Sequence, residues 1–134
     1  MKRRYCLSIG LLTFVGVFCL TKPLQAGPLE DGGAAYERGN YATALRLFKP
    51  LAEQGDAAAQ FFLGSMYAQG KGVPQDYVLA HMWVNLAAAR YSDPSEKEKR
   101  EITAKVRDRP ATMMTAEQIA EAQVLATNWK PKGE

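Results

Sequence analysis

The stretch AAAQFFLGSMYAQGKGVPQDYVLAHMWVNLAAA, residues 57–89, decides the fold, because two apolar segments enclose a run of turn-forming residues. Apolar side chains recur every three or four positions in both segments, which is the spacing of one face of an α-helix. Between the segments, Gly70 and Gly72 permit tight backbone conformations, and Pro74 disfavours a helical residue before it. Asp76 can cap the free backbone N–H groups of the second helix. The stretch therefore predicts an antiparallel pair of helices.

The preceding segment repeats this pattern without the long turn. Asn40 is a suitable N-cap for a helix there, and Gly55 is a suitable stop. Tyr41 and Tyr77 lie 36 residues apart, and Ala44 and Ala80 keep the same separation. A period of this length is typical of stacked helix pairs. The apolar face of this helix is formed by Tyr41, Ala44, Leu45, Phe48, Leu51 and Ala52.

Two further helices are predicted after the quoted stretch. Asp93 followed by Pro94 is a typical helix start, with the aspartate as N-cap. This helix has Ile102 and Val106 as its main apolar pair, and Pro110 is expected to end it. The rest of its surface is densely charged, and we interpret that surface as a solvated face.

The last helix begins with a capping box of Thr115 and Gln118. An apolar stripe follows, and it ends at Trp129. We interpret this helix as a terminal cap and Trp129 as a packing residue.

The quoted stretch resembles the Sel-one-like repeat family, which is related to the tetratricopeptide repeat. The segment from Glu37 to Gln60 is similar to the way such arrays often begin, but it lacks the GVPQD element and is interpreted as a degenerate unit. The residues that match the family pattern, and that we expect to define the repeat, are Leu63, Gly64, Tyr67, Gly70, Gly72, Asp76, Tyr77, Ala80, Trp83 and Ala87.

The resemblance implies an all-α fold: a short right-handed α-solenoid of antiparallel helix pairs with a C-terminal capping helix. The repeat domain would span 27–134, with the degenerate first unit at about 32–56, the full repeat at about 57–90 and capping helices at about 93–129. One full unit and one partial unit are fewer than the roughly three that stability normally takes. The C-terminal third or a second chain must therefore cover the remaining apolar face.

Residues 1–26 have the composition of a secretory signal peptide. Basic residues at positions 2–4 precede an apolar run at 7–20, and the best cleavage site follows Ala26. We therefore expect a periplasmic or secreted protein. The alternative is an uncleaved anchor that tethers the protein to a membrane, although the apolar run is shorter than the roughly 20 residues that a spanning helix needs.

Cleavage after Ala26 would change both the charge and the thiol content. It removes four of the 17 basic residues and none of the 14 acidic ones, which leaves a net charge of −1. The basicity of the whole chain therefore gives no support for a nucleic-acid partner, and no membrane contact is expected after cleavage. Cys6 and Cys19 are also lost, which leaves no thiolate nucleophile.

The sequence contains no pattern typical of catalysis, metal binding or cofactor binding. His81 is the only histidine, and no partner residue accompanies it in the sequence. We expect it at the surface or lining a groove. No cluster of cysteine, histidine and aspartate has metal-ligand spacing. The sequence thus predicts no enzyme activity, no metal and no cofactor.

The resemblance implies a protein–protein interaction or adaptor module with a protein or peptide partner. The groove-side helices would be the first of each pair, and the candidate contact residues are Arg38, Gln60, Phe61, Ser65 and Gln69. Three alternatives stay open. The first is an enzyme that binds or hydrolyses β-lactams, an activity that has been linked to some relatives whose repeats contain cysteines. The second is a membrane-tethered adaptor, and the third is a homo-oligomer in which a second copy covers the apolar end.

Overall fold

The computed structural model describes residues 26–133, so the predicted signal segment at 1–25 lies outside the described residues. Within 26–133 the regular structure is entirely helical, which confirms the predicted all-α class. The helices are α1 (Pro28–Glu37), α2 (Tyr41–Glu53), α3 (Ala57–Gln69), α4 (Tyr77–Arg90), α5 (Lys97–Ala111) and α6 (Ala116–Asn128), with a 3₁₀ turn at Pro94–Glu96 before α5.

Helices α1 and α2 pack as one pair, α3 and α4 pack as the next, and the pairs stack through α2 and α3. The predicted start of α2 and the predicted end of α3 are confirmed. Asn40 Oδ1 accepts a hydrogen bond from the Thr43 N–H at 3.3 Å, and Gly70 ends α3 at a φ of 65°. Such a φ costs little only for glycine. Helix α1 begins at Pro28, about four residues before the expected start of the first unit.

The core is made of small residues around a few large side chains. Phe48 is fully buried and stacks on Phe62, with ring centroids 4.7 Å apart and planes 1° from parallel. At Gly32 in α1, a Cβ would lie 2.6 Å from the Phe48 ring, so this glycine lets α1 approach α2 closely. Alanines do the same elsewhere, because short side chains allow helices to pack at short distances. The fully buried alanines are Ala44, Ala52, Ala59, Ala80, Ala87 and Ala122.

Helices α5 and α6 both pack on α4 rather than chiefly on each other. The Tyr77 hydroxyl donates to Met113 Sδ at 3.5 Å, so the end of α5 lies beside the start of α4 and the two helices are antiparallel. In the middle of α4, Trp83 packs edge-on against Trp129, with centroids 6.1 Å apart, and Arg90 at the C-terminal end of α4 lies over the same ring. Helix α6 therefore runs in the same direction as α4. From the turn that connects them, α5 and α6 run along different sides of α4.

The prediction for the buried face of α5 was wrong in part. Ile102 is 47% exposed, whereas Thr103 is 2% exposed. Thr103 can be buried because its hydroxyl donates to the Lys99 carbonyl oxygen at 2.6 Å, which leaves no unpaired donor. Pro110 does not end the helix where expected. It lies in the last turn, and α5 ends one residue later, at Ala111.

The C-terminal ends of α2, α4 and α6 meet at one end of the molecule. The Arg90 guanidinium lies 5.7 Å from the centre of the Trp129 ring. The Lys132 N–H donates to the Glu53 carbonyl oxygen at 2.8 Å, and its ammonium pairs with the Glu53 carboxylate at 2.9 Å. These contacts attach the chain end to the first helix pair. Among the helices of residues 26–133, none has the length and apolar character that crossing a bilayer requires.

Candidate functional site

A concave surface lies between α3, the first helix of the second pair, and α5, the helix that follows that pair. We call it the α3–α5 groove. Its wide end is a cavity of about 410 Å³, and its narrow end is a depression of about 110 Å³. The wide end is lined by Ser65, Ala68, Gln69, Tyr77, Val106, Arg109, Pro110 and Met113, and the narrow end by Phe61, Tyr91, Lys99, Ile102 and Thr103.

The two depressions lie along the same pair of parallel helices. Phe61 of α3 and Ile102 of α5 both line the narrow one, and further along each helix Gln69 and Arg109 both line the wide one. Eight residues of α-helix separate Phe61 from Gln69, which is a length of about 12 Å. Since the walls have their backbone hydrogen bonds satisfied within the helices, the groove is largely preformed.

The polar groups at the wide end are held in place by hydrogen bonds. Gln69 Nε2 donates to the Tyr36 hydroxyl at 3.3 Å, which links α3 to α1. Gln75 Nε2 donates to the Tyr77 hydroxyl at 3.0 Å. The Ser65 hydroxyl donates to the Phe61 carbonyl oxygen at 2.9 Å, so its proton is already used within α3. Gln69 thus keeps its amide oxygen available toward the groove.

The turn between α3 and α4 places a cation near the same end. The Lys71 ammonium lies 5.2 Å from the ring centres of both Tyr36 and Tyr41. This position between two aromatic faces is favourable for a cation. Gly72 takes a φ of 73°, and a Cβ there would lie 3.0 Å from Tyr41 Cβ, so the turn also requires glycine for space.

The structure brings three of the five candidate contact residues together. Phe61, Ser65 and Gln69 line the α3–α5 groove. Arg38 is exposed at the end of α1, outside the lining of the groove. Gln60 is 0% exposed, and its Nε2 donates to the Ala52 carbonyl oxygen at 3.1 Å. This side chain is inaccessible to a partner and joins α3 to α2 instead.

The residues that α5 contributes were not singled out in the sequence. Arg109 lies at the end of the helix whose charge density indicated only a solvated face, and Met113 lies in the turn that follows α5. Val106 had been noted as an apolar residue of the helix, without a role in a groove. No local signal distinguishes a groove wall from a solvated face, because that distinction depends on where α3 lies.

The expectation for His81 was wrong. Its side chain is 6% exposed, and its Nδ1 has no hydrogen-bond partner among the described residues. Burial lowers the pKa of His81, the nearby Arg107 guanidinium lowers it further, and Asp108 opposes the shift. His81 is therefore a neutral residue of the α4–α5 interface. Within residues 26–133 there is no group of three or more histidine, cysteine or carboxylate side chains that would hold a metal ion.

Stacked antiparallel helix pairs define the α-solenoid class of helical-repeat proteins. Two consecutive segments, residues 29–56 and 57–92, match the family model of the Sel1 repeat. The first match contains α1 and α2, and the second contains α3 and α4. Each of the two helix pairs therefore matches one Sel1 repeat, and such repeats suggest a protein-interaction module. Comparisons with curated proteins and with solved structures gave no match.

Proposed function

We propose that this protein is an exported adaptor that binds a partner protein through the α3–α5 groove and has no catalytic activity of its own. The observation that carries the proposal is the groove itself, which lies between α3, the first helix of the second repeat, and α5, the helix that follows that repeat. Its lining combines exposed apolar side chains with a few oriented polar groups, as binding sites commonly do.

The packing of α3 supports a binding site of fixed shape. Helix α3 packs on α2 and α4, and α5 packs on α4, so both groove walls rest on the same neighbour. Asp56 caps the start of α3, with Oδ1 accepting from the Ala59 N–H at 2.7 Å. A partner that binds such preformed walls loses little affinity to ordering of the site.

The interaction is tested by site-specific photocrosslinking in cells. A photoreactive amino acid placed at Gln69 or at Ile102 should give adducts of the same defined mass, because both positions lie on the groove. The control position is Arg46, which is exposed on α2 and outside the groove. Adducts that appear equally at Arg46, or at none of the three positions, would contradict the proposal.

Export is tested by the intact mass of the protein recovered from a periplasmic extract. A species that begins at Gly27 would support the proposal. A full-length species in the membrane fraction would contradict cleavage and would favour the tethered alternative.

The absence of catalysis rests on the position of His81, which is 6% exposed and therefore poorly placed to meet a substrate. The β-lactam alternative is tested with nitrocefin and the purified protein. We expect nitrocefin to be hydrolysed no faster with the protein than in buffer alone. A rate that rises with protein concentration would make this an enzyme.

A further inference from the structure

The wide end of the α3–α5 groove combines an adaptable apolar surface with one cation. Met113 is 68% exposed although it lies in a concave lining, and Val106 and Pro110 adjoin it. Methionine is flexible and polarizable, so it adapts to apolar side chains of different shapes. A concave surface lined by apolar side chains with a few polar groups is typical of binding sites.

Arg109 provides the charge at this end of the groove. Among residues 26–133 it makes no ion pair, whereas its neighbour Arg107 pairs with Asp108 at 2.9 Å. The nearest carboxylate in the sequence is therefore already engaged. Lys71 lies outside the lining, against Tyr36, whose hydroxyl accepts from Gln69 of the groove wall.

This local positive charge is not a property of the chain as a whole. From residue 27 onward the chain carries 13 basic and 14 acidic residues. The groove therefore differs in charge from the average of that region, and it complements an acidic ligand. Guanidinium groups bind carboxylates with two parallel hydrogen bonds, which gives orientation as well as affinity.

The dimensions of the groove limit what it can hold. A length of about 12 Å matches roughly four residues of extended chain. The cavity of about 410 Å³ at the wide end accommodates an apolar side chain together with an adjacent carboxylate. The smaller depression beside Phe61 and Ile102 accommodates a second apolar side chain.

We infer that the groove binds a short extended acidic segment of the partner protein, in which an apolar residue beside a carboxylate occupies the wide end. The carboxylate pairs with Arg109, and the apolar side chain packs on Val106 and Met113. A second apolar residue about four positions away contacts Phe61 and Ile102. This inference rests on the proposed function and specifies the chemistry of the partner.

The test is selection of random 12-residue peptides displayed on phage against the purified protein. We expect enrichment of peptides with aspartate or glutamate next to leucine, isoleucine or methionine. The same library is selected on Arg109→Glu and on Arg100→Glu. Arg100 is the matched control, because it is exposed and lies nine residues away on α5, about half a turn round the helix. Only Arg109→Glu should lose the acidic preference.

The most enriched peptide is then synthesised with a fluorescent label, and its binding is measured by polarisation. Arg109→Gln should weaken binding by about 10-fold, as expected for a hydrogen-bonded charged group, and Arg100→Gln should leave it within about two-fold. Met113→Ala should also weaken it, and Val124→Ala, an exposed apolar position on α6, should not.

Three outcomes of the selection would overturn the inference. They are selection of apolar peptides without acidic residues, identical selection by Arg109→Glu and the unchanged protein, and failure to select any peptide. A dimer that Met113→Glu dissociates would also overturn it, because a second copy would then occupy the groove. Photocrosslinking at Gln69 distinguishes failure of this inference from failure of the proposed function. If the peptide selection fails but adducts form at Gln69, a partner does bind at the groove, and only the chemistry inferred for its bound segment is wrong.

Discussion

Gly64 on α3 lies so close to Val84 on α4 that a Cβ at position 64 would be 2.5 Å from Val84 Cγ2. The same Cβ would be 3.0 Å from the Ala80 carbonyl oxygen, which belongs to the backbone and cannot move aside alone. Val84 and Ala80 are fully buried. The glycine therefore sets the distance between the two helices of the second repeat.

Replacing Gly64 with alanine should destabilise the fold by forcing α3 and α4 apart. Overpacking of a buried contact costs typically about 1–3 kcal/mol. The better helix propensity of alanine returns up to about 1 kcal/mol. We expect a net loss of about 1–2 kcal/mol in the free energy of unfolding, measured by urea denaturation.

Gly33→Ala is the matched control for this prediction. Gly33 also lies inside a helix, α1, but a Cβ there would meet no atom within 4 Å. Only the propensity effect then operates, and stability should rise by about 0.5–1 kcal/mol. If both glycine variants changed stability in the same direction, the contact with Val84 would not be the cause.

Gln60 and Gln69 lie on the same helix, but replacement by alanine should reduce the stability of the fold only at Gln60. Gln60→Ala removes a buried hydrogen bond to the Ala52 carbonyl oxygen and should cost about 1–3 kcal/mol of stability. Gln69→Ala is on the exposed groove wall and should change stability by less than about 0.5 kcal/mol. Denaturation and partner crosslinking on both variants check this. A stable Gln60→Ala protein that has lost its partner would contradict the assignment of Gln60 to the core.

The stability of the fold should fall as the pH drops below the ordinary pKa of histidine, because of His81. Burial, followed by the Arg107 guanidinium, lowers the folded-state pKa of His81 below its usual value of 6.5. Between that value and the lowered pKa, the unfolded chain binds a proton that the folded chain does not. The contribution of neutral His81 is thus complete above about pH 6.5 and is lost progressively as the pH falls toward the folded-state pKa.

The measurement is the free energy of unfolding at about pH 7.5 and about pH 5.5 for the unchanged protein and for His81→Gln. We expect the variant to show a smaller loss between the two conditions, whatever its absolute stability. An equal loss in both proteins would mean that other groups, such as the carboxylates, account for the pH dependence.

Trp129 should contribute to the stability of the whole chain although it lies close to the C-terminus. Its ring packs on Trp83 and beneath the Arg90 guanidinium. Because the ring is half-buried, Trp129→Ala should cost about 2 kcal/mol, less than a fully buried tryptophan would. The exposed neighbour Lys130 is the control, and Lys130→Ala should stay within about 0.5 kcal/mol. Equal stability of the two variants would refute the role of the Trp83 contact.

The starts and ends of the helices could be predicted because the groups that determine them are close in sequence. Asp76 Oδ1 accepts from the Leu79 N–H three residues later at 2.9 Å, as its position before an apolar run indicated. The capping box of Thr115 and Gln118 forms with both hydrogen bonds. The family pattern was likewise readable, since the glycines and alanines it requires are the residues that let helices turn and pack closely.

The faces of the C-terminal helices could not be predicted in the same way. Ile102 was expected to be buried and is exposed, whereas the polar Thr103 beside it is buried. A charged helix with few apolar residues has no strong periodicity to indicate its inner face. Its orientation follows from the contact of Met113 with Tyr77, which lies 36 residues earlier in the chain.

The sequence by itself determined the helical class, the positions of the turns and the presence of a repeat, because caps, glycines and apolar spacing act over a few residues. The tertiary structure alone decided that α5 and α6 diverge around α4, that Gln60 and His81 are buried, and that Arg109 and Met113 line a groove with α3. These features depend on contacts between distant parts of the chain, such as Gln69 with Tyr36, and on competition among several faces for the same buried surface. That competition is settled only when all the helices pack together.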